Sequence, residues 1–119
     1  MSKRILIIED DEASRLMYTE ILTVEDYSVV SKENGLEALD YLTANPLPHL
    51  IVMDLNFPAI TPQEFIKRLK SNPNTSAIPY ILVSGQKDLP KIMNELKAAD
   101  HLQKPFDIDD FIEIIKKNS

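Results

Sequence analysis

The segment Ile5-Leu6-Ile7-Ile8-Glu9-Asp10-Asp11-Glu12 gives the clearest indication of the fold, because four consecutive apolar residues are followed at once by four acidic ones. A strand with both faces covered reads as a continuous apolar run rather than an alternating one. Two further runs have this character, Leu50-Ile51-Val52-Met53 and Tyr80-Ile81-Leu82-Val83. Weaker strands are predicted at residues 28–32 and 101–103. The pattern therefore favours a parallel sheet buried on both sides.

Helical patterns fill the gaps between the predicted strands, with apolar residues three and four positions apart. Helices are predicted at residues 13–25, at 36–44, from Thr61-Pro62 onward, at 89–98 and at 108–117. Their apolar faces are predicted to contain Leu16, Met17, Ile21 and Val24; Leu36, Leu39 and Leu42; Phe65, Ile66 and Leu69; and Ile92, Met93 and Leu96. Five strand–helix units favour an α/β fold with right-handed crossovers.

The helix starts carry their own signals. Thr61-Pro62-Gln63-Glu64 matches a capping box with proline at the first helical position. Asp107 is a candidate cap for the last helix, and Lys116 and Lys117 near its end suit the helix dipole. These signals support the boundaries that the apolar pattern predicts.

Length and charge restrict the class of protein. The 119 residues predict a single domain, residues 1–119. The net charge of −6 opposes contact with phosphate backbones, so we expect no nucleic-acid partner for this domain. No apolar run approaches the roughly 20 residues that span a bilayer, so no membrane partner is expected. The absence of cysteine excludes disulfides and thiolate metal sites. A cytoplasmic location is the expectation.

Polar residues fall where the predicted strands end. Glu9 and Asp10 follow the first strand, Asp54 the third, Ser84 the fourth and Lys104 the fifth. The carboxyl ends of the strands in an open α/β sheet form its ligand-binding crevice. We therefore expect these side chains, although distant in sequence, to lie close together.

The expected cluster has a definite chemistry. The carboxylates of Glu9, Asp10 and Asp54 repel one another unless protons or a cation neutralise them. Oxygen ligands without His or Cys favour Mg²⁺ or Mn²⁺ over Zn²⁺. Lys104 adds a positive charge and Ser84 a hydroxyl donor. A carboxylate nucleophile, a metal, an ammonium group and a hydroxyl are the groups that phosphoryl transfer uses.

Some of these residues have a simpler interpretation. Asp11 and Glu12 are more readily explained as residues that begin the following helix. Lys104-Pro105-Phe106 could by itself be a turn. Asp54 is harder to explain in this way, because Thr61 already supplies the cap of the next helix. The functional prediction therefore depends on the strand ends taken together.

These segments resemble the motifs of CheY-like receiver domains of two-component response regulators, and the resemblance extends over essentially the whole chain. The matching segments are Ile5-Leu6-Ile7-Ile8-Glu9-Asp10-Asp11-Glu12, Met53-Asp54-Leu55-Asn56-Phe57-Pro58, Val83-Ser84-Gly85 and Lys104-Pro105-Phe106. The resemblance implies a flavodoxin-like (βα)5 fold, with a parallel sheet of strand order 2-1-3-4-5 and helices on both faces.

The resemblance also implies a function. Asp54 would be the phosphoacceptor, taking a phosphoryl group from the phosphohistidine of a sensor histidine kinase or a histidine phosphotransfer protein. Mg²⁺, for which Mn²⁺ can substitute, would be ligated by Asp10 and Asp54, by the main-chain carbonyl of Asn56, and by Glu9 through water. Lys104 would pair with the phosphoryl group or with Asp54. The domain would be a signalling receiver rather than a stand-alone turnover enzyme.

Two switch residues follow from the same resemblance. Ser84 would hydrogen-bond a phosphoryl oxygen, and His101 stands where the family usually has a rotating Tyr or Phe. His101 is either a tolerated ring or a group that couples switching to pH. Equal pH profiles of activation in wild type and His101→Phe would exclude the coupling. The downstream protein target is expected to bind the face formed by the fourth helix, the fifth strand and the fifth helix.

The chain departs from the family pattern in places. After Pro58 a Gly-x-Asp-Gly-like turn is usual, whereas this chain has Ala59-Ile60-Thr61-Pro62. Alanine resists the positive φ that glycine allows. The segment between Ser84 and Lys104 is slightly shorter than usual, which bears on the fourth helix. The Lys104–Pro105 peptide is expected to be cis.

Three other functions compete with the receiver interpretation. A phosphorylation-independent interaction scaffold with a receiver fold is the main alternative. A haloacid-dehalogenase-type phosphatase would need a second Asp two residues after the first, where this chain has Asn56. A nucleotide or flavin binder would need a glycine-rich first turn, but the two glycines are Gly35 and Gly85. A stand-alone regulator and a fragment of a longer one both fit the sequence.

Overall fold

The computed structural model describes residues 2–44, 46–56 and 58–119, so Phe57 of the quoted motif lies outside the described residues. Within these residues, strands alternate with helices as the sequence predicts. The strands are β1 Arg4–Ile8, β2 Ser28–Lys32, β3 Leu50–Asp54, β4 Tyr80–Ser84 and β5 Asp100–Gln103. The helices are α1 Glu12–Val24, α2 Gly35–Ala44, α3 Pro62–Ser71, α4 Leu89–Leu96 and α5 Ile108–Asn118.

The sheet is parallel, with strand order β2-β1-β3-β4-β5, which confirms the expected fold class. Alternate residues of each strand enter different cores. Leu6 and Ile8 pack with α2, α3 and α4 on one face, and Ile5 and Ile7 pack with α1 and α5 on the other. Both faces are therefore covered, which explains why the central strands read as continuous apolar runs.

The predicted apolar face of α1 is wrong in part. Leu16, Met17 and Val24 are 58%, 43% and 80% exposed, whereas Tyr18 and Leu22 are buried. The reason is tertiary, since the ring of Tyr18 stacks 5.0 Å from that of Phe111 in α5. Leu36 in α2 is likewise 40% exposed, in contrast to the prediction. The predicted buried residues of α3 are confirmed.

The helix starts agree with the sequence in two cases and differ in one. The Asp11 carboxylate accepts from the Ser14 N–H at 2.9 Å and caps α1. The Thr61 hydroxyl accepts from the Glu64 N–H at 3.1 Å, but the Glu64 carboxylate binds Arg68 instead of completing the box. Asp107 was predicted as a cap, yet its side chain caps no N–H group in the described part of the chain. Water can hydrate the exposed N–H groups there.

α4 ends at Leu96, two residues before its predicted end, because Lys97 adopts a left-handed conformation with φ 56°. Among the residues described, no helix combines the length and the apolar character needed to cross a bilayer.

Ala59 adopts the positive φ that the sequence made doubtful. Its φ is 77°, and the Ile60 N–H donates to the Pro58 carbonyl at 3.0 Å. A hydrogen bond between residues two apart, across a positive φ, is a strained γ-turn for a residue with a Cβ. The chain therefore makes this turn without glycine, at a cost in backbone strain.

We expect Ala59→Gly to raise the free energy of unfolding by about 0.5–1 kcal/mol, because relief of strain outweighs the added freedom of the unfolded chain. Urea unfolding measures the change. Ala13→Gly, in the ordinary helical conformation of α1, is the matched control and should lower stability by about 0.5–1 kcal/mol. A loss of stability in Ala59→Gly would contradict the strained turn.

Candidate functional site

The ends of β1, β3 and β5 bring a lysine and two carboxylates into contact. The Lys104 Nζ lies 2.6 Å from the Asp54 Oδ2 and 3.2 Å from the Glu9 Oε1. The strand register explains the meeting, since Ile8 pairs with Met53 and Ser84 with Gln103, so that the next residues extend from the same edge. We call Glu9, Asp10, Asp54, Asn56 and Lys104 the acidic pocket.

Asn56 links the two aspartates of the acidic pocket. Its main-chain N–H donates to the Asp54 Oδ1 at 2.9 Å, and its side-chain amide donates to the Asp10 Oδ2 at 3.2 Å. The Glu9 and Asp54 side chains are 2% and 12% exposed, whereas Asp10 is exposed. Asp10 therefore lies at the rim of the pocket and Glu9 at its floor.

The charges of the pocket are incompletely balanced. Burial raises the pKa of Glu9 to about 7, and the nearby Asp54 charge and hydrogen bond add to the effect while Lys104 opposes it. Burial alone would lower the pKa of Lys104, but the hydrogen bond and charge of Asp54 outweigh burial and raise it. The Lys104 ammonium therefore remains protonated. Its one positive charge does not balance both carboxylates, and the Glu9 carboxyl group still binds a proton near neutral pH.

The donor set fits a hard cation that keeps several water ligands. Within residues 2–44, 46–56 and 58–119, no group of three or more His, Cys, Asp or Glu side chains is placed to hold a metal ion by itself. Mg²⁺ usually takes one or two carboxylates and fills its other positions with water or carbonyl oxygens. Asp10 and Asp54, joined through Asn56, can supply such ligands, and the unbalanced negative charge favours a cation.

Ser84 lies at the end of β4, beside this pocket. It is 4% exposed, and its hydroxyl oxygen accepts from the Gln86 N–H at 3.1 Å. The Lys104 N–H donates to the Ser84 carbonyl at 2.8 Å, and the Lys104–Pro105 peptide is cis, as expected. In this conformation the main chain, rather than the Ser84 hydroxyl, links β4 to Lys104.

His101 joins β5 to α4. Its Nδ1 lies 3.1 Å from the Met93 Sδ, and its main-chain N–H donates to the Asp100 carboxylate at 2.9 Å. The ring is half-buried. His101 therefore lies apart from the contacts of the acidic pocket and connects β5 to α4, two of the three elements of the expected output face. Its coupling to pH stays a prediction.

Two residues near the pocket were not singled out from the sequence. Tyr18 contributes to a cavity of about 380 Å³ beside Lys104, which is lined by Ser14, Met17, Tyr18, Lys104, Pro105 and Phe106. Arg15 donates to the carbonyls of Glu9 and Asp10. The spacing of Tyr18 and Leu22, four residues apart, was the available signal for Tyr18. Arg15 gave none, because an arginine in an amphipathic helix usually faces solvent.

Fold and pocket together define a class: a parallel α/β domain with a lysine-bridged pair of carboxylates at its strand ends. The family model for response regulator receiver domains matches residues 5–116. The chain therefore belongs to this family, the receiver domains of two-component signalling.

Two relatives, a phosphotransferase and a response regulator, match this chain over almost its whole length. The chain is 32% identical over 117 residues to sporulation initiation phosphotransferase F of Bacillus subtilis (strain 168), covering 98% of this chain and 94% of that protein. It is 31% identical over 118 residues to the polar-differentiation response regulator DivK of Brucella anthropi, covering 98% and 95%.

Solved structures show the same fold. The chemotaxis response regulator CheY4 of Vibrio cholerae superimposes with a TM-score of 0.90 at 21% identity, covering 100% of both chains. The Mn²⁺-bound form of response regulator Rcp1 gives a TM-score of 0.78 at 26% identity, covering 97% of this chain and 90% of that one.

Proposed function

We propose that this receiver, taken as one domain over residues 1–119, accepts a phosphoryl group on Asp54 from a phosphohistidine of a sensor kinase or phosphotransfer protein. An Asp54 carboxylate oxygen would form the new O–P bond while the P–N bond to the donor imidazole breaks and the imidazole keeps the electron pair. The observation that carries the proposal is the Lys104 ammonium, 2.6 Å from Asp54 and 3.2 Å from Glu9. In this position Lys104 would balance charge on the incoming phosphoryl group.

Asp10, Asp54 and the main-chain carbonyl of Asn56 would hold Mg²⁺, or Mn²⁺ in its place, and Glu9 would contact it through water. When bound, the cation supplies positive charge beside the phosphoryl oxygens. The Asn56 main-chain N–H donates to one carboxylate oxygen of Asp54, and the Lys104 ammonium donates to the other. These two hydrogen bonds would fix the orientation of the nucleophile. The existence of a Mn²⁺-bound form of response regulator Rcp1 supports a divalent cation as the cofactor of this domain.

Phosphorylation would act through electrostatics. The added charge on Asp54 favours a conformation in which the Ser84 hydroxyl leaves Gln86 and bonds a phosphoryl oxygen. His101, packed on Met93 of α4, would transmit that shift to the α4–β5–α5 face, where a downstream protein partner binds. The domain would thus act in signalling, and would not be a stand-alone turnover enzyme.

Incubation with acetyl phosphate and Mg²⁺ tests the proposal, because a small phosphodonor needs no partner protein. We expect intact-mass measurement to show a gain of one phosphoryl group, which is abolished by EDTA and by Asp54→Asn. Asp40→Asn, at an exposed position of α2, is the matched control and should retain the gain. An unmodified wild-type chain with an intact fold would instead support the interaction scaffold.

A further inference from the structure

Arg15 makes an unusual set of contacts for a residue near the start of a surface helix. Its side chain is only 14% exposed. One guanidinium nitrogen, Nη1, donates to the main-chain oxygens of both Glu9 and Asp10, at 2.8 and 3.0 Å. The other, Nη2, lies 3.6 Å from the Glu33 carboxylate, which is 62% exposed. The guanidinium therefore turns back from α1 onto the loop that carries the acids.

The contacts of this loop divide between side chain and main chain. The Glu9 carboxylate faces Lys104, while its carbonyl oxygen faces Arg15 and its N–H donates to the Lys32 carbonyl at 3.0 Å. The Asp10 carboxylate meets Asn56, while its carbonyl also meets Arg15. Arg15 thus binds the backbone of the two residues whose carboxylates enter the pocket.

We propose that Arg15 is a positioning residue that holds the Glu9–Asp10 backbone in the geometry a divalent cation needs. The inference rests on the proposed function. Repulsion among the pocket carboxylates acts to push the loop outward, and the charge-assisted bonds from Nη1 resist that movement. Groups that orient metal ligands without touching the metal change metal affinity about 10- to 100-fold when they are removed.

Whether removal of Arg15 weakens or tightens Mg²⁺ binding distinguishes a positioning role from simple electrostatic repulsion. A guanidinium near a divalent cation repels it, so removal of Arg15 for that reason alone would tighten Mg²⁺ binding. Loss of an ordered loop would weaken it, because the ordering then has to occur upon binding. The proposal requires that the second effect exceed the first.

The test is Mg²⁺ titration by calorimetry, with variants kept under conditions where circular dichroism shows them folded. We expect Arg15→Ala to bind Mg²⁺ about 10-fold more weakly than wild type. Arg15→Lys should recover most of the affinity, since a single nitrogen makes both carbonyl bonds. Glu33→Gln removes only the exposed pair and should stay within about twofold of wild type.

A second readout excludes a direct role in the chemistry. At saturating Mg²⁺, Arg15→Ala should take the phosphoryl group from acetyl phosphate within about threefold of the wild-type rate, because its contacts are with main-chain oxygens and not with Asp54. Should Arg15→Ala not fold, Arg15→Met and Arg15→Lys carry the comparison, and equal Mg²⁺ affinity in those two would overturn the proposal.

The outcomes also separate this inference from the function on which it rests. A wild-type chain that binds no Mg²⁺ and takes no phosphoryl group contradicts the proposed function. A wild-type chain that does both, with unchanged or tighter Mg²⁺ binding in Arg15→Ala, contradicts only the role of Arg15.

Discussion

Replacing Lys104 with methionine should lower the free energy of unfolding of the metal-free protein by about 2–4 kcal/mol at about pH 8. Methionine keeps much of the side-chain volume but removes the ammonium that bridges Asp54 and Glu9. Two largely buried carboxylates would then lack their cation. Urea unfolding in EDTA, followed by circular dichroism, measures the loss.

Two comparisons make this prediction specific. At about pH 5.5 the loss should shrink, because the pKa of Glu9 is about 7 and a protonated Glu9 needs no cation. Lys116→Met removes the exposed ion pair with Glu25 and should have a far smaller effect. Equal losses in the two lysine variants would mean that the bridge contributes little to stability.

Glu9→Gln should stabilise the metal-free protein at about pH 8 by up to about 3.5 kcal/mol. The pKa of Glu9 is raised from 4.5 to about 7, so between these values the folded chain keeps a proton that the unfolded chain releases. Wild-type stability therefore falls as the pH rises through this window. The two pKa values of Glu9 differ by about 2.5. At about 1.4 kcal/mol for each pH unit, this difference gives the full size of the stabilisation.

The measurement is the free energy of unfolding in EDTA at a series of pH values from about 4.5 to 8. The Glu9→Gln curve should meet the wild-type curve at the acid end and lie above it at the alkaline end. Glu33→Gln, at an exposed position, should follow the wild-type slope. Parallel curves for wild type and Glu9→Gln would show that Glu9 titrates as an ordinary carboxyl group. Added Mg²⁺ should stabilise wild type more than Glu9→Gln.

Most element boundaries could be predicted because the signals are local, whereas the strand order β2-β1-β3-β4-β5 was expected only from the resemblance to receiver domains. The continuous apolar runs identify buried strands, and the caps at Asp11 and Thr61 fix two helix starts. The inward face of α1 could not be predicted, because apolar side chains of α1 itself point in several directions around the helix. Which of them are buried depends on Phe106 and Phe111, whose rings meet Tyr18 from distant parts of the chain.

The site, like the fold, could be predicted only in part from the sequence. A parallel sheet brings its strand ends together, and so the meeting of Glu9, Asp54 and Lys104 follows from sequence order once the strands are placed. The amide of Asn56 on Asp10 and the turn of Arg15 onto the loop depend on side-chain rotamers, which no spacing specifies. The positive φ of Ala59 likewise opposes local preference.

The two outer strands of the sheet bear on the solubility of the protein. β2 and β5 form its edges, where unpaired main-chain groups could template the addition of another chain. β5 spans only Asp100–Gln103 and is followed by Lys104 and by Pro105, which has no N–H to donate. β2 ends in Lys32. Short length, charge and proline at these edges disfavour edge-to-edge aggregation.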